Sequence, residues 1–557
     1  MRKLIYALAV AALLAAGFGS SLSARNDSRS ATVRNMAIFN GVLKELSTSY
    51  VDTIDMDALV RSAIDAMLAG IDPYTEYYSA AEVEDLTSIS SGQYGGIGAV
   101  ISQRDGRVYV SQPLWDAPAR RSGLRHGDII LAIDGDEIAP GTGTDVVSRR
   151  LRGQAGSSLR VRVKRPFATG ADSILDVNIV RETINNNPLP YWGVDSTGVG
   201  YLRLTTFNEQ SAPAVREAVT AMKHNPALRG LVIDLRDNGG GLLESAVNIV
   251  GLFVPKGTEV VRTRGGDSYG EKIYKTTRTP LDTELPLVVL VNENTASSSE
   301  IVAGALQDLD RAVVLGDRSY GKGLVQTSRP LPYDGFLKVT VARYYIPSGR
   351  LIQAVDYSHR NPDGSVARIP DSLTRVWHTA AGREVRDGGG ITPDVSVVDT
   401  TMNRLIYNVI ADLWAYDFAN RYRMMHDSVP AATEWIIGDS IFNQFKGFID
   451  PARFKYDRMC EVGIKYLRDA AEFEGYMTDS VRAQIDLLAD MLRHNLDHDL
   501  DFNRPDLIEI LDSELSERYY DDSDRVLRSL RYDATVDSAR AVLLSPARYK
   551  SILSPAR

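Results

Sequence analysis

Two short stretches carry residues able to do covalent chemistry. In VVLVNENTASSSEIVAGALQDL, residues 288–309, an apolar run leads into a small-residue turn and then a helical pattern. A serine in such a turn presents its hydroxyl beside the free amides of a helix N-terminus. That suits attack on a carbonyl and reception of the oxyanion. The same residues have a purely structural reading, because Ser297-x-x-Glu300 is a capping box. Ser297, Ser298 and Ser299 stand in a row, and the local pattern does not choose among them.

A serine nucleophile needs a base. Of the seven histidines, His126, His224, His359, His378, His426, His494 and His498, none ends a core strand pattern. Lys322, in GDRSYGKG (316–323), does. A lysine serves as base once burial lowers its pKa from ~10.4 towards neutrality. Gly321 and Gly323 on either side let the chain bend and pack closely. Gln326 falls on the same face of an extended chain, ~13 Å away if straight, so contact between the two requires a bend.

Other motifs offer different chemistry and are set aside. GDRSYGKG holds all but the last letter of the phosphate loop G-x-x-x-x-G-K-[ST], but Gly323 removes the Mg²⁺-binding hydroxyl. The LVQTSRPLP that follows is β-like, whereas a phosphate loop opens a helix. GDSYG (266–270) matches a nucleophile elbow, but polar loop sequence surrounds it, so Ser268 reads as a turn residue. HNLDHDLD (494–501) reads as an acidic helix end rather than a metal site. In LRDNGGGLL (235–243), three glycines after a strand allow an amide to point at a ligand oxygen.

These residues must be positioned by the elements around them. Residues 190–400 alternate short strand and helix patterns, which implies an α/β layer fold. Residues 92–182 read as a β-rich module, with a short helix in APARRSGLRHGD ending at Gly123. Residues 25–90 read as helical, with a stop at Gly70. After residue 400 glycine nearly vanishes and amphipathic patterns take over, so 401–557 reads as a helical appendage for packing and partner contact.

A chain of 557 residues implies three to five domains. The net charge of -9, with no basic block, argues against a nucleic-acid partner. Cys460 is the only cysteine, which excludes an intramolecular disulfide, and it reads as a small buried hydrophobe. At the N-terminus, Arg2 and Lys3 precede an apolar run from Leu4 to Ala16 and then small residues. That pattern predicts a secretory signal over 1–23, hence export to a periplasm or envelope, with an uncleaved anchor as the alternative.

Taken together, SYVDTIDMDALVRSAIDAMLAGIDPYTEYY, YGGIGAV, APARRSGLRHGDIILAIDG, GLVIDLRDNGGGLLESAVNIVGLFVPKG, LVNENTASSSEIVAGALQDLDRAVVLGDRSYGKGLVQT and ARYYIPSGRLIQ resemble the carboxy-terminal processing (tail-specific) serine peptidases. The resemblance spans roughly residues 37–400 in the family's motif order. It implies a multidomain α/β protease core of ClpP/crotonase-like β/α layers over 183–400. A β-rich PDZ domain at 92–182 would be inserted in it, with a helical segment at 31–91 before and a helical domain at 401–557 after.

The resemblance also implies a Ser–Lys dyad that needs no metal or cofactor: Ser297 the nucleophile, Lys322 the general base, Gln326 the residue orienting the lysine. The oxyanion amides would be those of Ser298 and of Gly239 or Gly240. Thr295 and Ser298 depart from the family's S-A-S-A-S-E motif, and Gly239 stands where a proline is common. Gly95, Gly96, Ile97 and Gly98 match the loop with which a PDZ domain holds a terminal carboxylate. The partners implied are proteins with exposed C-terminal tails. Further contacts through 401–557, with a second copy or an adaptor, complete the expectation; its rival is a non-catalytic PDZ scaffold with a degenerate core.

Overall fold

The computed structural model describes residues 31–83, 91–167, 173–266, 269–361, 365–397, 403–456 and 458–555. The expected signal at 1–23 and Ser268 lie outside them. The chain divides into two compact units, one holding Met1–Tyr77 with Ser328–Leu331 and Gly335–Val339, the other holding the remainder.

In the first unit, helices cover 31–49 and Met56–Ala69, the second capped by the Asp55 side chain. Beyond Gly70 a short strand interrupts the expected helical segment, and a 3-10 helix, Ala80–Glu82, follows it. Glu76–Tyr78 is a strand, and Glu76 pairs with Lys338 at 2.7 Å. Pro73 and the aromatic run Tyr77-Tyr78 favour extended chain there.

The second unit is built on a six-stranded sheet. Its elements are β1 (Tyr191–Val194), β2 (Val199–Arg203), α1 (Ser211–Lys223), β3 (Gly230–Asp234), α2 (Leu243–Val250), β4 (Leu287–Val291), α3 (Ser298–Asp308), β5 (Val313–Gly316) and β6 (Val395–Ser396). The strands lie in the order β1-β2-β3-β4-β5-β6. All neighbours are parallel except β1 and β2, with Asp234 beside Leu290 and Val291 beside Gly316. The C-terminal ends of β3, β4 and β5 therefore sit side by side. The glycine turn, the serine turn and the lysine loop all leave from that one edge, where open α/β sheets place their sites.

A parallel sheet requires cover on both faces, which explains why LVVLV and GLVID are apolar throughout. On one face Leu287, Val289 and Val291 pack with Val219 of α1, Ile249 of α2 and Val302 of α3. On the other, Val288, Leu290, Val232 and Val313 meet Val536, Ala539, Val542 and Leu543 of the helix Ala534–Leu543. The residues expected to form an appendage thus supply half of the core's cover. Burial of each such Val or Leu contributes roughly 1.5–3 kcal/mol. Arg236 fixes this helix at the end of β3: it bonds Asp234, which is fully buried, and Asp533, which caps the helix at Val536 N.

The β-rich module is a separate antiparallel sheet with its own core around Val110, Val147, Val161 and Val163. Its entry and exit, Gln93–Gly96 and Glu182–Asn185, pair as a two-stranded ribbon. The helical region spans Arg404–Ala411 to Pro546–Ile552 and has a second core of Phe418, Phe442, Phe445, Leu507 and Leu511. Cys460 corrects the sequence expectation. It is exposed on Met459–Phe473, a helix with no buried residue.

Candidate active site

The serine turn is held in an uncommon conformation. Ser297, half-buried between β4 and α3, adopts φ 56° and ψ −116°. A non-glycine residue at positive φ stores roughly 1–3 kcal/mol and persists only where its surroundings enforce it. Here they do. Ala296 N donates to Asn238 O at 3.0 Å, and Thr295 Oγ1 donates to Leu235 O at 2.9 Å.

The three consecutive serines differ in circumstance. Ser298 and Ser299 are buried, and their hydroxyls donate to Gly241 O and Asn238 O, each at 2.8 Å. Only Ser297 keeps its hydroxyl at a partly open position. The two departures from the family motif, Thr295 and Ser298, both spend their hydroxyls on tying the serine turn to the glycine turn.

Glycine is required at the contact between these turns. Gly240 has φ +97°, and a Cβ there would lie 2.8 Å from Ala296 O, Ser297 Cβ and Ser298 N. Its amide, expected with that of Gly239 as an oxyanion donor, is committed to Asn238 Oδ1 at 2.9 Å. The N–H groups of Gly239 and Ser298 have no hydrogen-bond partner among the described residues. Gly239 is exposed, and a Cβ there would meet nothing within 4 Å.

Lys322 lies in an irregular loop between β5 and the strand Leu324–Pro330. No helix follows it, which removes the phosphate-loop alternative. The bend that the sequence called for is present: Gly321 has φ +86°, and a Cβ there would strike Ala354 Cβ at 2.3 Å. Gly323 N donates to Gln353 Oε1 at 2.7 Å. Gln326 is half-buried, and its Nε2 donates to Thr340 Oγ1 at 3.2 Å.

Glu300, read from sequence as half of a capping box, proves to join the two loops. It is fully buried. Oε2 accepts from Ser297 N and Lys322 N, each at 2.9 Å, so those two nitrogens lie within about 6 Å of one another. Oε1 accepts from Gly321 N at 2.7 Å and Ser319 Oγ at 2.5 Å. Burial pushes the carboxyl up to about 7, against the lowering effect of these four bonds. Tyr344 makes a second tie. Its hydroxyl lies 2.5 Å from Lys322 O and 3.1 Å from Ser297 O, so one proton is shared between the two carbonyls. Neither role was assigned from sequence, although S-x-x-E and ARYYIP were both visible.

In the β-rich module, Ala99–Arg104 is an edge strand. Gly95 and Gly96 belong to the ribbon, and Ile97 is buried. Gly98 has φ +68°, and a Cβ there would meet Ala117 Cβ at 2.4 Å. The carbonyls of Ile97 and Gly98 accept from Ala119 and Leu114, while their amides have no partner among the described residues. In the helical region, His494 bonds Asp499, and Lys446 pairs with Asp497 and Asp501, so ion pairs occupy the HNLDHDLD carboxylates.

Residues 198–364 match the family model for Peptidase family S41, residues 95–179 that for a PDZ domain, and residues 405–543 that for the C-terminal helical domain of a probable PDZ-protease. A carboxy-terminal-processing protease of Bartonella bacilliformis is 36% identical over 358 residues, which cover 64% of this chain and 81% of that one. A probable CtpA-like serine protease of Staphylococcus epidermidis is 30% identical over 351 residues, 61% of this chain and 69% of the relative. Among solved structures, a photosystem II D1 C-terminal processing protease aligns at 30% identity with TM-score 0.37, over 64% of this chain and 86% of that chain.

Proposed function

This chain belongs to Peptidase family S41, the carboxy-terminal-processing serine proteases, and on that premise we propose that it cuts proteins at or near their C-termini with Ser297 as nucleophile and Lys322 as general base. The observation that carries the reading is the double tie between these two residues, through Glu300 and through Tyr344, beside the strained φ of Ser297.

The chemistry follows from the groups present. Neutral Lys322 takes the proton of Ser297 Oγ as that oxygen attacks the scissile carbonyl. The oxyanion is received by the amides of Ser298, at the start of α3, and of Gly239, which have no partner among the described residues. The lysine ammonium then protonates the leaving amine, and the acyl-enzyme is hydrolysed with Lys322 again as base. Gln326 steadies the lysine on leaving Thr340, a change of side-chain rotamer.

The PDZ domain recruits the substrate by its tail. The peptide adds to the free edge of Ala99–Arg104, and its carboxylate accepts from the amides of Ile97 and Gly98. The protein is exported by its N-terminal signal. Contacts with a second copy or an adaptor use exposed apolar residues of the helical domain, among them Val462, Tyr466 and Phe473.

The test is cleavage of a protein with an exposed apolar C-terminus by wild type, Ser297→Ala and Lys322→Ala, with and without a chelator. Cleavage by wild type alone, unaffected by chelation, is expected. Retained cleavage in either variant rejects the dyad.

A further inference from the structure

A cavity of about 290 Å³ lies between the PDZ domain and the helical domain, inside the second compact unit and apart from the residues used above. Its PDZ wall includes Arg120, Arg125, His126 and Arg165, and its helical wall Asn420, Arg423 and Arg518. Among the described residues, five guanidinium groups line it and no carboxylate does. Like charges gathered at a seam repel, so a seam serving only adhesion would alternate them.

Carboxylates behind the walls neutralise part of this charge. Arg165 bonds both oxygens of Asp128, and Arg518 pairs with Glu514 and Glu517. Arg423 reaches the exposed Asp427 at 3.3 Å. Arg120 and Arg125 have no carboxylate within 4 Å among the described residues. Arg120 donates to Arg518 O at 2.8 Å and stacks 3.9 Å over Trp115, and Arg125 touches Met424 Sδ at 3.2 Å.

Two buried nitrogens from opposite walls, His126 Nε2 and Asn420 Nδ2, also have no hydrogen-bond partner among the described residues. The nearest carboxylate to His126, Glu517, is 3.8 Å away, beyond bonding distance. Burial, then Arg518, Arg120 and Arg525, hold His126 well below its ordinary pKa, and burial with Arg423 and Arg525 lowers Arg120. Glu517 and Asp522 act on Arg120 in the opposite sense without reversing its shift.

We propose that this cavity is a phosphate site, in which Arg120, Arg125 and Arg423 grip the oxyanion and His126 Nε2 and Asn420 Nδ2 complete its shell. A phosphate offers more acceptor oxygens than a carboxylate and matches planar guanidinium forks, so it suits this number of donors. Its grip comes from two domains, so occupancy fastens the PDZ domain to the helical domain and favours the docked arrangement. Inorganic phosphate and the headgroup of an anionic phospholipid share this chemistry.

The experiment titrates inorganic phosphate into the full chain by calorimetry at fixed ionic strength. In parallel, the protein is sedimented with vesicles of phosphatidylglycerol and phosphatidylcholine in equal parts, or of phosphatidylcholine alone. Saturable binding to phosphate or to the anionic vesicles is expected, and which of the two binds identifies the source. Arg125→Gln alone should weaken it about tenfold or more at unchanged Tm, and adding Arg120→Gln should weaken it further. Arg162→Gln, which removes an exposed arginine paired with Asp176 elsewhere on the domain, should bind as wild type does. No binding in either arm, or equal binding by the folded Arg125→Gln protein, overturns the proposal.

Discussion

The backbone amides of Ser297 and Lys322, twenty-five residues apart in sequence, donate to the same oxygen of Glu300 at 2.9 Å each. Two loops leaving adjacent strands are thereby fixed to one buried point. Relative position of nucleophile and base is worth several kcal/mol in catalysis, and a displacement of about 1 Å can cost about a hundredfold. Glu300 is on this account a positioning residue, and it makes pH a probe of the site.

The folded pKa of Glu300 is raised from 4.5 to about 7. A carboxyl raised in this way favours the native state while protonated. Its stabilising contribution, of order 3 kcal/mol, is therefore present below about pH 4.5 and lost as pH climbs towards 7. Activity should move the other way, because ionised Glu300 holds its four donors by charge-assisted bonds. Glu300→Gln should lower kcat by about tenfold to a hundredfold and remove both the limb of the rate profile near pH 7 and the matching slope in Tm. A variant whose profiles overlay those of wild type would reject this role.

Tyr344→Phe removes the hydroxyl between the carbonyls of Ser297 and Lys322 and leaves the ring in place. The loss of one buried hydrogen bond should cost about 1–2 kcal/mol of stability, read by denaturant unfolding. Because the ring makes no proposed substrate contact, kcat should fall severalfold while KM holds.

Gly240 and Gly239 should respond differently to alanine. At Gly240 a methyl meets three atoms of the serine turn at 2.8 Å, on a backbone at φ +97°. Gly240→Ala should lose about a hundredfold or more in kcat/KM. Gly239→Ala, which keeps its N–H and points into open space, should stay within severalfold. Peptide kinetics with matched Tm values check both.

Ser298→Ala and Ser299→Ala should each retain most activity, with Tm lowered by the lost bond to Gly241 O or Asn238 O. An inactive but folded Ser298→Ala protein would move the nucleophile.

Much of this was legible in the sequence because it is local. All-apolar strands, short strand–helix alternation and the glycines around Lys322 announce a parallel sheet and a bend. What was not legible depends on partners far apart in the chain. A capping box looks the same whether its glutamate serves one helix or, as Glu300 does, also anchors a loop some twenty residues later. The helix Ala534–Leu543 gives no sign of what it covers, because its amphipathic stripe would suit any apolar surface. Cys460 misled for the converse reason. Burial is the usual state of a lone cysteine, but Cys460 lies at the exposed start of a helix that has no buried residue. Three serines in a row became distinguishable only once the carbonyls opposite Ser298 and Ser299 were in place.

In the proposed mechanism Ser297 attacks because Lys322 takes its proton. The most direct measurement is mass-spectrometric mapping of a fluorophosphonate adduct on wild type and on a folded Lys322→Ala protein. A single adduct on Ser297 is expected in wild type, and labelling slowed by a factor of about a thousand or more without the lysine. An adduct on Ser298 or Ser299, no adduct at all, or equal labelling of the two proteins would contradict it.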